Sequence, residues 1–202
     1  MRYSKEHKQE THERIVRKAS VRLREKGAHG IGVADLMKEA GLTHGGFYAH
    51  FDSREALVIE AFNYAMGRST ERWRKLAEQT PPDKRFAAIV ESYLTTIHRD
   101  DPGRGCAVPT LGPEIARESA KTRRAFAAKL DDMIEMIADQ LPEVPRKAAR
   151  AQAIAAIATM AGALVLSRVA GSGEFSEEIL ATGREAVLGR AAAAKKSRAN
   201  AN

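Results

Sequence analysis

The sequence predicts an all-α protein, with a helix-turn-helix near its N-terminus and a larger helical domain after it. Three observations support this fold class. Apolar residues recur with the 3.6-residue period of a helix, and no stretch alternates apolar and polar residues for long enough to pair as strands. The stretch "AGLTHGGFYAHFDSREAL", residues 40–57, has the layout of a short helix, a tight turn and a second short helix. Basic residues are in excess at both ends of the chain.

Composition and charge distribution narrow the class of protein. The chain has 202 residues, 44% hydrophobic and 29% charged, which is typical of soluble globular proteins. Residues 1–54 contain 11 Lys/Arg against 7 Asp/Glu and five of the six histidines, whereas residues 55–189 contain 18 against 19. This basic first part predicts a polyanionic partner, with a merely solvated basic face as the alternative. A single cysteine, Cys106, excludes an intrachain disulfide and favours a reducing compartment, the cytoplasm.

The first half of the chain divides into four predicted helices. The first spans about 4–26 and ends at Gly27; the second covers about eight residues of "GIGVADLMKEAG" and ends at Gly41. A third short helix is expected over 43–49. A long helix then begins at Asp52 or Ser53, either of which has cap chemistry, and it ends near 78, before "TPPD". The residues predicted to face inward from the first two helices are Ile15, Val16, Ala19, Leu23, Leu36, Met37 and Ala40.

The second half is also predicted to be helical, which brings the total to about nine helices. Helices are expected over about 83–98, 108–115 and 119–140, and another begins at Pro145 and ends at "GSG", 171–173. Ser176 is expected to cap a last helix that reaches about 190. The uncharged run 151–167 is too short and too rich in Ala for a membrane span, so it predicts a buried helix. The predicted domains are a helix-turn-helix domain at 1–54, a larger helical domain at 55–193 and a disordered basic tail at 194–202.

The stretch 40–57 supplies the predicted DNA-binding residues. Gly41 suits the left-handed residue that ends a helix, and Thr43 is expected to cap the next one. A second helix of this kind lies in the major groove, where Gly45 and Gly46 would let the backbone approach DNA closely. The residues expected to contact bases are Thr43, His44 and Tyr48, and those expected to contact phosphates are Tyr48, His50 and Arg54. An ordinary helical corner with satisfied polar groups is the alternative interpretation.

This stretch resembles the signature of TetR-type transcriptional regulators. Its matching residues are Ala40, Gly41, Leu42, Thr43, Gly45, Phe47, Tyr48, His50, Phe51, Ser53, Arg54, Glu55 and Leu57. The resemblance covers about residues 10–60. It implies a homodimeric repressor that is released from a palindromic double-stranded operator by a small, largely apolar ligand or by an electrophile. It also implies pairing of the last two helices with their copies, for which small residues recur at Ala149, Ala153, Ala156, Ala163, Ala181 and Ala186.

The resemblance implies that the domain at 1–54 binds DNA and that the domain at 55–193 binds the effector and forms the dimer. The second domain holds the residues expected to line an effector pocket. They are Tyr64, Trp73, Tyr93, Cys106, Met133 and Met160. For each of them, plain core packing is the alternative. Cys106 begins a predicted short helix, whose dipole would stabilise a thiolate and make it a sensor; a buried filler is the other interpretation.

Two other classes of protein were weighed against the regulator. An enzyme would rely on Cys106 with a histidine, or on His44 and His50 with a carboxylate, but these two histidines are six residues apart and share no helical face. No Gly-rich phosphate loop and no His–Glu–x–x–His pattern occurs, so we expect neither catalysis, nor a cofactor, nor a bound metal. A helical protein-interaction module with a basic end is the second alternative.

Overall fold

A computed structural model describes residues 5–199, with side chains through residue 191, and confirms the all-α class: no strand occurs in that range. Its α-helices are α1 (Lys5–Lys26), α2 (Val33–Glu39), α3 (Arg54–Glu78), α4 (Arg85–Tyr93), α5 (Thr96–Asp100), α6 (Ala107–Ile115), α7 (Ala120–Ala138), α8 (Arg146–Ala170) and α9 (Glu174–Ala199). Two 3₁₀ helices, His44–Ala49 and Pro82–Lys84, lie between them.

The chain forms two compact units. The first consists of the described residues up to Arg68 together with Pro102–Lys129, and the second of Ser69–Asp101 together with the residues from Leu130 onward. Neither unit ends at the predicted domain boundary between 54 and 55, so that boundary remains a functional prediction.

In the first unit, α1 and α2 form as their apolar periodicity predicts. Ile15 and Ala19 of α1 and Met37 of α2 are fully buried. Gly27, with φ +83°, ends α1. After α2, the Leu42 N–H donates to the Met37 carbonyl at 2.9 Å and the Gly41 N–H donates to the Lys38 carbonyl at 3.0 Å. This pair of bonds is a Schellman motif, which requires the left-handed φ of +76° at Gly41.

The segment after this turn is a 3₁₀ helix, His44–Ala49, rather than the expected α-helix. Thr43 occupies its N-cap position, but its side chain makes no capping hydrogen bond, which corrects that part of the prediction. Two adjacent glycines lower the α-helical propensity of so short a segment, which favours the tighter form. At the next helix the cap is Ser53, because its Oγ accepts the Ala56 N–H at 3.1 Å.

In the second unit, the helix expected over 83–98 is divided into α4 and α5. The backbone leaves helical geometry at Leu94, with ψ 72°, and the Thr95 hydroxyl starts the next helix by accepting the His98 N–H at 3.1 Å. Arg184 of α9 donates to the Leu94 carbonyl, which has lost its helical partner. A long-range hydrogen bond thus fixes a break that the local periodicity does not reveal.

The prediction that Ser176 caps the last helix is wrong. Helix α9 begins earlier, at Glu174, and Ser176 is 1% exposed. Its Oγ donates to the Ser167 carbonyl at 2.8 Å and accepts from Arg99 at 3.0 Å. The helix also continues to Ala199, so the predicted disordered tail is helical from 194 to 199, and residues 200–202 lie outside the described part of the chain.

Candidate nucleic-acid interface

The 3₁₀ helix His44–Ala49, called here the recognition segment, contains four of the seven predicted DNA contacts, and of these four only Gly46 is half-buried. Thr43, His44 and Gly45 are exposed, and the Tyr48 side chain is 70% exposed. Phe47 anchors the opposite side and is 2% exposed. A buried aromatic residue under a row of exposed polar groups fixes the segment while leaving those groups free to contact a partner.

Packing does not require the two glycines of the recognition segment. A Cβ added to Gly45 would meet no atom within 4 Å, and one added to Gly46 would meet the Met37 and Thr43 side chains at an ordinary 3.7 Å. Neither residue has the positive φ that favours glycine. Neither packing nor a positive φ therefore requires glycine at these two positions, as expected if another molecule approaches the backbone closely.

His50 directly follows the recognition segment and lies beside a second histidine that sequence reasoning missed. The ring of His12, from α1, lies 6.0 Å from that of His50 and stacks on Phe51 at 4.5 Å. His12 Nε2 lies 2.6 Å from a carboxylate oxygen of Glu60. His12 is three residues before Ile15 and therefore extends the buried stripe of α1. This spacing could have predicted from the sequence that His12 faces inward.

The His50 ring is held in a state that disfavours protonation. Its Nδ1 is buried and has no hydrogen-bond partner among residues 5–199. Burial, followed by repulsion from His12 and Lys8, lowers the pKa of His50 below its ordinary value of 6.5. A phosphate oxygen placed against this ring would reverse the preference, because an anion stabilises the protonated form.

Arg54 has a structural contact that the sequence does not reveal. Its guanidinium donates to the carbonyl of Ala28, in the loop 27–32 between α1 and α2. The N–H of Ala28 donates to a carboxylate oxygen of Glu114, from α6, at 2.6 Å. Both polar groups of Ala28 are thus engaged by side chains far away in sequence, and this fixes the loop that leads into α2. A guanidinium has five N–H donors, so this bond leaves Arg54 able to contact a phosphate as well.

The residues predicted to line an effector pocket are divided between the two units. Tyr64 and Cys106 belong to the first unit, where Tyr64 is half-buried and Cys106 is 3% exposed at the N-cap of α6. Trp73, Tyr93, Met133 and Met160 are all buried in the second unit. The rings of Trp73 and Tyr93 lie 5.6 Å apart.

Comparison with known proteins decides the family. Residues 15–61 match the family model of the bacterial regulatory proteins of the tetR family, and residues 82–179 match that of the C-terminal domain of LmrA/YxaF-like transcriptional regulators. The chain belongs to the TetR family. Its members are DNA-binding transcriptional regulators, generally repressors, and are not enzymes. The resemblance seen in residues 10–60 is therefore confirmed, and the enzyme alternative is excluded.

Similar proteins cover most of this TetR-family chain. An uncharacterized HTH-type transcriptional regulator of Mycobacterium tuberculosis is 28% identical over 165 residues, which are 78% of this chain and 84% of that protein. The crystal structure of a TetR regulator from Chloroflexus aurantiacus is 26% identical, with a TM-score of 0.75 and coverage of 90% and 94%. Bacillus subtilis FadR in complex with stearoyl-CoA shares the fold, with a TM-score of 0.67, 17% identity and coverage of 87% and 96%.

Proposed function

We propose that this chain is a cytoplasmic, homodimeric repressor that binds a pseudo-palindromic operator and leaves it when a small, largely apolar ligand or an electrophile binds. The recognition segment is the observation that carries the DNA-binding part. Together with Thr43 at its N-cap, it presents His44, Gly45 and Tyr48 to solvent, and it is fixed by Phe47 and by the Gly41 turn. His50 and Arg54 stand at its end, where they suit phosphates.

Selection of bound duplexes from a random pool tests this proposal. We expect one pseudo-palindromic sequence to be enriched, with an affinity that falls steeply as salt increases. His44→Ala should relax base preference, at a cost of about 1–3 kcal/mol at the position it reads. Tyr48→Phe should instead weaken binding to cognate and unrelated duplexes alike, because a phosphate contact carries no sequence information. Enrichment of no sequence would contradict the proposal.

An uncharged stripe on α8 supports the homodimer. Residues one helical turn apart are exposed along its length and none of them is polar: Ala151, Ile154, Ala158, Gly162, Leu166 and Val169. Leu166 and Val169 are 59% and 81% exposed, and Phe175 at the start of α9 is 67% exposed. Apolar area of this kind favours a partner surface, and a two-fold axis would cover it with a second copy.

Four of the six predicted small residues, Ala149, Ala153, Ala156 and Ala163, lie on a different face of α8, and the other two, Ala181 and Ala186, lie on α9. Ala149, Ala153 and Ala156 are already buried within the chain, and an added Cβ at Gly183 of α9 would come within 2.7 Å of the Ala163 Cβ. Ala163, at least, therefore serves the close approach of α8 and α9 inside one chain rather than contact with a second copy. Among the described helices, α8 is also long and apolar enough to span a membrane, judged by length and composition alone. A dimer interface explains its apolar exposure, and the TetR-family assignment favours that explanation.

The proposed effector class is argued from a structural neighbour and from Cys106. Stearoyl-CoA bound to FadR shows that this fold accepts a ligand with a long apolar chain. For the electrophile, Cys106 at the N-cap of α6 is the candidate, and its thiol is buried. If it senses, a mild electrophile should release wild-type protein from DNA and leave Cys106→Ser bound. Equal behaviour of the two proteins would make the thiol structural and the effector non-covalent.

A further inference from the structure

The first turns of α1 carry charges that the predicted DNA contacts leave out. Helix α1 begins at Lys5, whereas the match to the tetR-family model begins at residue 15. Lys5, Lys8 and His12 are separated by three and four residues, so they lie on one face of the helix and are called here the basic stripe. The acidic residues of the same turns lie on another face: Glu6, Glu10 and Glu13.

Helix stability does not explain the two lysines of the basic stripe. The helix macrodipole disfavours cations near the start of a helix, and like charges three residues apart repel each other. No residue three or four positions away from Lys5 or Lys8 is acidic. Both side chains are exposed, and neither forms an ion pair among the residues that the structure describes. Their ammonium groups are therefore available to an anion outside the chain.

The basic stripe lies next to the end of the recognition segment. The His12 ring is 6.0 Å from that of His50, and Lys8 precedes His12 by about one helical turn, or roughly 6 Å along the helix axis. After burial, repulsion by His12 and by Lys8 lowers the pKa of His50, so the charge of Lys8 acts on that ring. The carboxylate of Glu60, which lies against His12, is engaged by it at 2.6 Å. An anion held by His50 would therefore have a lysine as its neighbour.

We propose that Lys5 and Lys8 bind phosphates of the DNA backbone beyond the one contacted by His50, so that α1 extends the interface of the recognition segment. The proposal rests on the proposed function, because it requires that the recognition segment bind an operator. Lysine binds phosphate as a point charge, and a phosphate contact carries no sequence information. We therefore expect the basic stripe to add affinity for duplex DNA and to leave base preference to the recognition segment.

The salt dependence of operator binding by the full chain tests the phosphate contact. Each phosphate that a protein neutralises adds about 0.9 to the slope of log affinity against log salt, so Lys8→Gln, with two copies per homodimer, should make the slope less steep by about 1.8. Affinity at about 0.1 M salt should fall about tenfold for operator and unrelated duplexes alike. Lys8→Arg retains the charge and should retain the slope. Lys84→Gln removes an exposed lysine of the second unit and is the matched control for net charge.

Neutral methylphosphonates, placed one at a time along the operator backbone, test the location. We expect a position at which neutralisation weakens the wild type about threefold or more and leaves the affinity of Lys8→Gln unchanged. Circular dichroism melting of Lys8→Gln separates a lost contact from misfolding. An unchanged salt slope in the folded variant, an equal change in Lys84→Gln, or a variant as sensitive as the wild type at every methylphosphonate would overturn the proposal. If the wild type binds its operator and Lys8→Gln binds equally well, only the role of α1 fails; if the wild type enriches no duplex, the repressor function itself fails.

Discussion

At the level of single residues, Gly45 is the position where stability and DNA binding make opposite demands. It lies exposed in the recognition segment with open space around its Cα and an ordinary φ, so the fold alone would accept a side chain there. Glycine also increases the conformational entropy of the unfolded chain, which costs stability. A residue that the folded chain does not need is best explained by what approaches it from outside.

Gly45→Ala is therefore expected to stabilise the protein and weaken DNA binding. The free energy of unfolding should rise by about 0.4–1 kcal/mol, because alanine restricts the unfolded chain. Operator affinity should fall about tenfold, equivalent to about 1.4 kcal/mol, since a methyl group would separate backbone and DNA. Gly67→Ala on α3, where an added Cβ also meets nothing within 4 Å, should stabilise similarly and leave affinity unchanged. Thermal unfolding and a titration of labelled operator measure both effects; unchanged affinity in Gly45→Ala would show that the backbone does not approach DNA.

The lowered pKa of His50 predicts that operator affinity depends on pH. In the free protein, burial together with His12 and Lys8 holds the pKa of His50 below 6.5, and the Glu60 carboxylate is engaged by His12 rather than by His50. A phosphate contact would raise that pKa, so binding would take up a proton and affinity would increase as pH falls through 6.5, by at most about tenfold per unit. The stability of the free protein depends on pH in the opposite direction. A lowered pKa of His50 stabilises the folded state above pH 6.5, and this contribution is lost as the pH falls.

Affinity measured between pH 5.5 and 8 checks this linkage. His50→Gln retains a hydrogen-bond donor but cannot be protonated in this range, so its profile should be flatter than that of the wild type. His44→Gln, at an exposed histidine of the same segment, serves as the control for a general effect of losing a histidine. A wild-type slope that persists in His50→Gln would move the linked proton to another group.

At the level of elements, local patterns predict helices well and long-range contacts decide where they are interrupted. The stripe through Ile15 and Ala19 predicted α1 nearly to the residue, because burial at a 3.6-residue period is a local property. The break at Leu94 was missed because Arg184, ninety residues away, stabilises it. Ser176 looked like a helix cap, but its partners are Ser167 and Arg99, which only the folded chain brings together. The recognition segment was placed correctly, although its 3₁₀ geometry was not foreseen.

Contacts around the loop 27–32 were also invisible in the sequence, and they predict a measurable effect of α6 on this loop. Glu114→Ala removes the acceptor for the Ala28 N–H while Arg54 still holds the carbonyl of Ala28. We expect that amide to exchange hydrogen about tenfold or more faster, and the free energy of unfolding to fall by about 1–3 kcal/mol, the cost of losing a charge-assisted hydrogen bond. Amide exchange followed by NMR measures the first effect, and denaturant unfolding the second.

Glu118→Ala is the matched control for that experiment. Glu118 pairs at 2.8 Å with His29, which is 68% exposed, so its removal should cost little and leave the Ala28 amide protected. If both variants exchange equally fast, the loop is held by something other than Glu114. Reduced operator affinity in Glu114→Ala alone would show that the position of the loop contributes to DNA binding through α2.

At the level of the whole molecule, the exposed stripe on α8 suits a protein that acts as two copies. A helix-turn-helix dimer reads two half-sites about one helical turn of DNA, or a multiple of it, apart, so the interface determines the operator as much as the recognition segment does. The charges of α8 are distributed in agreement with a dimer interface. Arg146 and Arg150, at the start of α8, are paired with Asp131 and Glu135 of α7 and with Asp139, which follows α7. The stripe from Ala151 to Val169 is left uncharged.

Leu166→Glu should therefore produce a monomer that binds its operator poorly. A two-fold interface carries every substitution twice, so two carboxylates would be buried against apolar surface, at a cost of several kcal/mol unless the interface opens. Sedimentation velocity at micromolar concentration should show half the mass of the wild type, and operator affinity should fall about a hundredfold while weak, salt-sensitive binding to unrelated duplexes remains. Ala127→Glu, which adds the same charge at an exposed position of α7, should remain dimeric. If Leu166→Glu stays dimeric and binds the operator as the wild type does, the stripe is not the interface, and its apolar exposure must serve a different partner.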